Sequence, residues 1–209
     1  MTRNFRHKNV PYTSQWGRKE LNEDIINNSI DPCDDVTWKN SGFNEKCDYK
    51  FWSRRICGIA CLESILSYAN IRFDNRRKLI LRAINWGAYE VPRKGVVNGL
   101  IYEPFCRWIS NEFDIKSEIY KNNDLLEIID KISESHMIIS SVSTEIRTPH
   151  LPNFRRGGHL ILLHGIEGND IYFHNPSGIP PFQQDAHLSV EHMERFHARR
   201  GIIIEIPRN

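Results

Sequence analysis

From Cys57 onward, apolar residues fall at Ile59, Leu62, Ile65, Leu66 and Ala69, a spacing of three and four that gathers them on one stripe of a helix. A second stripe, Leu79, Ile80, Ala83 and Ile84, follows Asn75, which can cap a helix start, and precedes Gly87, where a helix can relax into a turn. A third helix is predicted over 100–111. Pro104 either opens its regular part or kinks it, because proline has no N–H to donate. Asn123 followed by Leu125, Leu126, Ile128, Ile129 and Ile132 predicts a fourth. The period then changes. Residues 137–142, 159–166 and 171–175 read as short buried strands, and Glu-Gly-Asn-Asp at 167–170 suits a tight hairpin between the last two. A helix near 190–197 precedes a final strand at 202–206. Helices followed by an antiparallel sheet make an α+β arrangement. Residues 22–50, rich in Asn, Asp and Ser around Trp38, Phe43 and Tyr49, predict a long ordered loop. With no repeat, low-complexity tract or Gly/Ser linker, 1–209 reads as a single domain.

Composition narrows the class. At 209 residues with 40 % hydrophobic and 11 % aromatic content, the chain can bury a core and is not disordered. No apolar run spans a bilayer, and residues 1–8 are polar and basic without the apolar stretch of a secretory signal, so a cytoplasmic protein without a membrane partner is expected. Five cysteines cannot all pair, and free thiols fit that compartment. A net charge of +2 argues against a nucleic-acid binder. Basic clusters at Arg54–Arg55, Arg76–Lys78, Arg155–Arg156 and Arg199–Arg200 could meet an acidic partner, although such groups are most often solvated surface.

Cys57 stands at the head of the first helix in Arg55-Ile56-Cys57-Gly58-Ile59-Ala60-Cys61-Leu62. Helix N-terminal N–H groups favour a thiolate, which should lower the thiol below its free value of about 8.5, and the same groups can receive an oxyanion. Gly58 should let a substrate backbone approach. Most cysteines are simply buried, and Cys61 and Cys106 fit that description.

A thiolate nucleophile needs a base that later protonates the leaving group. His159, after Gly157-Gly158, is the best candidate among nine histidines, with Ile161 and Leu163 on its face directed to the core. Asn175, in His174-Asn175-Pro176, could hold its tautomer. A symmetric two- or four-residue turn centred on Gly168 and Asn169 would put His159 and Asn175 on opposite faces, so a three-residue turn or a bulge is required. His164, His174, His192 and His197 read as packing or surface residues. No metal is expected: Cys57-x3-Cys61 is not a zinc knuckle, Cys33 and Cys47 lie far apart, and no His-Glu-x-x-His occurs. No cofactor is expected either.

Four blocks together resemble the C39-like branch of the papain-like cysteine peptidases: Val10-Pro11-Tyr12-Thr13-Ser14-Gln15, Cys57 to Leu62, Gly158 to Gly165, and His174-Asn175-Pro176. The resemblance implies a papain-like α+β fold with the nucleophile's helix packed on a C-terminal antiparallel sheet. It implies Cys57 as nucleophile, His159 as base and acid, Asn175 as its orienting partner and Gln15 in the oxyanion hole. Gly58 and Gly158, next to Cys57 and His159, are the expected substrate-binding positions. Two departures stand out: Ile59 where the family often has proline, and Asn175 where it often has Asp. The implied chemistry is an acyl-thioester on Cys57. Amide formation from a peptide or acyl thioester, with an acyl or peptidyl carrier protein as a partner, is the first expectation. Peptide or amide hydrolysis is the second, and a non-catalytic peptide-binding relative the third.

Overall fold

An antiparallel sheet of seven strands separates two apolar layers in the computed structural model, which describes residues 4–93 and 95–207. In chain order the elements begin with β1 (Asn4–Arg6), α1 (Asn22–Ile26) and α2 (Lys46–Ser53). Next come α3 (Cys57–Tyr68), α4 (Arg76–Asn85), the hairpin β2 (Glu90–Arg93) and β3 (Val96–Asn98), and α5 (Tyr102–Phe113). The second half holds β4 (Ser117–Lys121), α6 (Leu125–Ile129), β5 (His136–Ser143), β6 (Gly158–Glu167), β7 (Asp170–His174), β8 (Ala186–Ser189), α7 (Val190–Glu194) and β9 (His197–Glu205). The main sheet runs β4-β9-β5-β6-β7-β8, and β1 pairs with the last residues of β6.

Alternation along the strands decides which layer each residue joins. Leu160 and Leu162 of β6, Met137 and Ile139 of β5, and Ile202 and Ile204 of β9 pack with α3 and α5. Ile161 and Leu163, Ile138 and Ile203 face the other way, toward α6 and α7. The apolar stripe predicted from Cys57 is α3, buried from Gly58 to Leu66. Asn75 caps α4 by accepting the Lys78 N–H at 3.1 Å. Pro104 lies in the first turn of α5, where its missing N–H costs nothing.

The structure departs from the sequence reading in instructive places. The 22–50 stretch contains α1, part of α2 and 3-10 turns, with Trp38 and Phe43 packing on Tyr49. The fourth helix is a single turn and a half, capped by a reciprocal Asp124–Glu127 box. Strands β1, β2, β3 and β4 are too short or too charged to show a period-two pattern, and β8 alternates over only four residues. Arg76 is not part of a surface patch. Its guanidinium is buried against Glu63 of α3 at 2.6 Å and donates to the carbonyls of Ser14, Gln15 and Trp16 at 2.9, 3.1 and 3.3 Å. That pair fixes the 14–16 segment on the helical layer. Glu63→Gln leaves the guanidinium buried without its counter-charge, and a loss of about 3–5 kcal/mol in chemical denaturation is expected. All five cysteines are free, and no described helix is long and apolar enough to cross a membrane.

His7, His164, His174 and His197 are buried, and desolvation holds each below the ordinary imidazole value of 6.5, His164 to about 2 and His197 to about 4. Their folded values are depressed, so below about pH 6.5 the unfolded chain binds protons that the folded chain refuses. Stability is complete above that value and is lost as pH falls, by up to about 1.4 kcal/mol per pH unit for each such histidine. Denaturant midpoints measured between pH 7.5 and 4.5 should therefore fall steeply; a flat profile contradicts the assignment of these rings as neutral.

Candidate active site

Strands β6 and β7 meet through the two-residue turn Gly168-Asn169, with Glu167 opposite Asp170, Ile166 opposite Ile171 and Gly165 opposite Tyr172. The next pairs are Leu163 with Phe173 and Leu162 with His174, so His164 is an extra residue in β6. Without this bulge, position 175 would share the face of Leu162. With it, Asn175 comes to the face of His159.

The two side chains meet. His159 Nε2 lies 2.7 Å from Asn175 Oδ1, which also accepts the Ser177 backbone N–H at 3.3 Å. An N–H on the same oxygen fixes the amide orientation, so Nε2 carries the ring hydrogen and the lone pair falls on Nδ1. The Asn175 backbone is held just as firmly: its N–H donates to Gln183, and its carbonyl accepts from Gly178 at 2.8 Å and from the Tyr12 hydroxyl at 2.9 Å. Two residues that the sequence reading passed over complete the network. Ser177 Oγ is 3.2 Å from His159 Nε2, and Arg147 donates to that hydroxyl at 2.6 Å and to the Ser177 carbonyl at 2.8 Å. Ser177 follows the Asn-Pro pair directly. Arg147, in a 3-10 turn after β5, carries no sequence signal.

Cys57 opens α3 at the edge of β6 that β7 leaves uncovered, because the β7 ladder ends opposite Leu162. The N–H groups of Leu160, Gly58 and Cys57 itself act on the sulfur and favour its ionised form, as does the Arg147 charge. Desolvation outweighs them, and the thiol is pushed up, not down as expected from its helix position. Burial, reinforced by Arg147 and opposed by Asn175, holds His159 down to about 3. The resting pair is a thiol and a neutral imidazole. No hydrogen bond joins Cys57 to His159 among the described residues; the two line one cavity of about 660 Å³ together with Gly158, Leu160, Tyr102 and Ser141.

The remaining expected residues divide. Gly158 lines the cavity in a left-handed conformation (φ 93°) with open space where a Cβ would stand. Gly58, expected beside the substrate, is not on the cavity wall. It is buried, and a Cβ there would meet Leu100 at 3.0 Å and Leu160 at 3.1 Å, so glycine serves the packing of α3 on β6 and the 99–101 segment. Gln15 is buried, with its N–H on the Pro176 carbonyl at 2.7 Å and its carbonyl on Arg76. It stands against the loop after Asn175, and its side chain is not part of the cavity wall.

One group of possible metal ligands lies elsewhere: His164, His174 and Asp185, with ligand atoms within 4.8 Å of one another. Both His174 nitrogens are already used, by the Asp185 N–H and the Val10 carbonyl, and Arg6 occupies Asp185 Oδ1 at 3.2 Å. A cation beside the carboxylate and a spoken-for imidazole fit a metal poorly.

Three solved structures are similar to the chain, each with a TM-score of 0.48. A double-glycine-motif protease from an AMS/PCAT transporter, crystallised with the leader peptide, is 18 % identical, covering 72 % of this chain and 84 % of its own. The peptidase domain of Streptococcus ComA, a bifunctional ABC transporter of a quorum-sensing pathway, is 12 % identical over 74 % and 93 %. A C39-like peptidase from Bacillus anthracis is 14 % identical over 73 % and 89 %. No protein-family model and no curated protein matches the sequence.

Arg147 lowers His159 through its charge, so Arg147→Gln should move the His159 titration upward, toward the ordinary value, when followed by NMR of the ring protons. An unchanged titration would show that the guanidinium charge does not reach the ring.

Proposed function

We propose that the protein is a cysteine-nucleophile acyl-transfer enzyme that acts on an amide or thioester carbonyl. The observation that carries this reading is the bulge-dependent contact of His159 with Asn175, which leaves Nδ1 as the free base in the cavity that Cys57 also lines. The resemblance of the four sequence blocks to C39-like peptidases points the same way. Cys57 Sγ attacks the carbonyl carbon as its proton passes to His159 Nδ1. The leaving amine or thiol takes that proton back, and an acyl-thioester remains on Cys57. Because the resting groups are neutral, the proton moves during attack, without a standing thiolate–imidazolium pair. The N–H groups at the head of α3 supply the oxyanion donors. The four-block resemblance adds Gln15 as a side-chain donor; its backbone is anchored to Pro176, beside Asn175, and its side chain has to turn from its buried position into the cavity to act.

The acceptor decides the reaction. The cavity reaches solvent along exposed Lys121 and Arg200, so water can meet the acyl-thioester, and this favours hydrolysis of a peptide or small amide. Amine capture, the acceptor first expected from the sequence, forms an amide from the same intermediate, and a carrier-bound donor is one source of the acyl group.

Incubation with a peptide thioester should add one acyl mass to the intact protein, and Cys57→Ala should abolish the adduct. His159→Ala should slow its formation about 10²- to 10⁴-fold, and Gln15→Ala about 10²- to 10³-fold. No adduct with any of a panel of thioesters and activated amides contradicts the enzyme reading. Free acid as the product, with and without added amines, identifies a hydrolase; amide as the main product identifies the transferase.

A further inference from the structure

Lys121 of β4 and Arg200 of β9 are direct cross-strand partners. Like charges in that position repel, and an antiparallel pair gains nothing from them unless an anion lies between. Neither has a carboxylate partner among the described residues, whereas adjacent Arg199 pairs with Asp124 at 2.9 Å and with Glu194 at 3.8 Å. Both cations line the cavity that holds Cys57 and His159. Their face of the sheet is the one that carries Ile119 and Ile202, toward α3 and α5. Arg200 is further placed by Tyr102, which it contacts, and its Nη2 lies over Gly157. The one acidic residue on the cavity wall, Glu103, is exposed and turned to Arg107 one helical turn on, at 4.0 Å.

We propose that Lys121 and Arg200 form an anion clamp that selects peptide substrates carrying a carboxylate side chain at a fixed distance from the reacting carbonyl. The sheet supplies the ruler. Cys57 sits over β6, and the order β6-β5-β9-β4 places Arg200 two strands away and Lys121 three strands away, about 10 and 14 Å at about 4.8 Å per strand. An extended peptide advances about 3.3 Å per residue, so the preferred Asp or Glu lies three or four residues from the reacting carbonyl. The clamp rests on the reading of Cys57 as nucleophile, and it adds a substrate class to that reading.

Bromoacetyl peptides test both separately, because attack by Sγ forms a thioether and releases bromide without requiring turnover. A series of peptide amides, otherwise alanine, carries Glu or its neutral isostere Gln at the second, third, fourth or fifth residue, and site-resolved mass spectrometry reads alkylation of Cys57 against exposed Cys47. At low salt the Glu peptide should modify Cys57 about ten-fold faster than the Gln peptide at the third or fourth residue. The advantage should shrink with added salt, as exposed charges are screened. In the double variant Lys121→Gln, Arg200→Gln the two rates should converge, and Arg200→Glu should favour a Lys peptide. Equal Glu and Gln rates in the wild type, with Cys57 still modified selectively, overturn the clamp and leave the nucleophile standing. Modification of Cys57 no faster than of Cys47 by any peptide overturns the nucleophile, and the clamp falls with it.

Discussion

A single inserted residue in β6 holds the site together. A two-residue hairpin turn sets the register of β6 and β7, and a period of two then assigns every later position to one face or the other. His164 breaks that assignment once, so the face that carries Ile161, Leu163 and Phe173 into the core also receives His159 and Asn175. The bulge is locked from several sides. His164 is fully buried and packs against His174 with ring centroids 4.6 Å apart and planes tilted by 51°, and His174 is itself tied to Val10 and Asp185. Loss of the bulge would carry the whole segment after His174, with its bonds to Tyr12, Gln15 and Gln183, to the wrong side.

Desolvation sets the electrostatics around this frame. The N–H groups of Cys57 and Gly58 at the helix N-terminus favour a thiolate, and the Leu160 N–H and Arg147 add to them, yet desolvation of the sulfur prevails. The same desolvation keeps His159 neutral. A site built this way stores little charge at rest, so its hydrogen bonds, not a standing ion pair, must hold the geometry. The Arg147–Ser177–His159–Asn175 chain supplies them, with Asn175 Oδ1 taking both the Ser177 N–H and the ring N–H. A neutral asparagine suits such a site, because an Asp at 175 would attract the ring proton and raise an imidazole that burial holds low.

Much of this was legible in the sequence. The stripes of α3 and α4, the Asn75 cap, the three central strands and the need for a bulge all follow from apolar spacing and turn arithmetic. The residues that escaped did so for physical reasons. Arg147 acts through a turn whose position depends on where β5 ends, and Arg76 looks like a surface cation until Glu63, thirteen residues earlier on α3, meets it in the interior. Gly58 looked like an opening because its neighbours Leu100 and Leu160 are brought to it only by the packing of α3 on the sheet. Short strands such as β1 and β4 gain their stability from partners far along the chain, and a local pattern cannot register them.

Charge is therefore distributed unevenly over the cavity. Its reacting pair is neutral at rest beside a single cation, Arg147, held by a hydroxyl and a carbonyl, and its far wall carries Lys121 and Arg200, which have no carboxylate partner among the described residues. A neutral thiol and imidazole add little long-range pull of their own, and the Arg147 charge beside them is enclosed. Exposed cations do pull, at the cost of screening by salt. Separating the two lets recognition be electrostatic while the reacting groups stay uncharged until a carbonyl arrives and the proton can move from sulfur to ring.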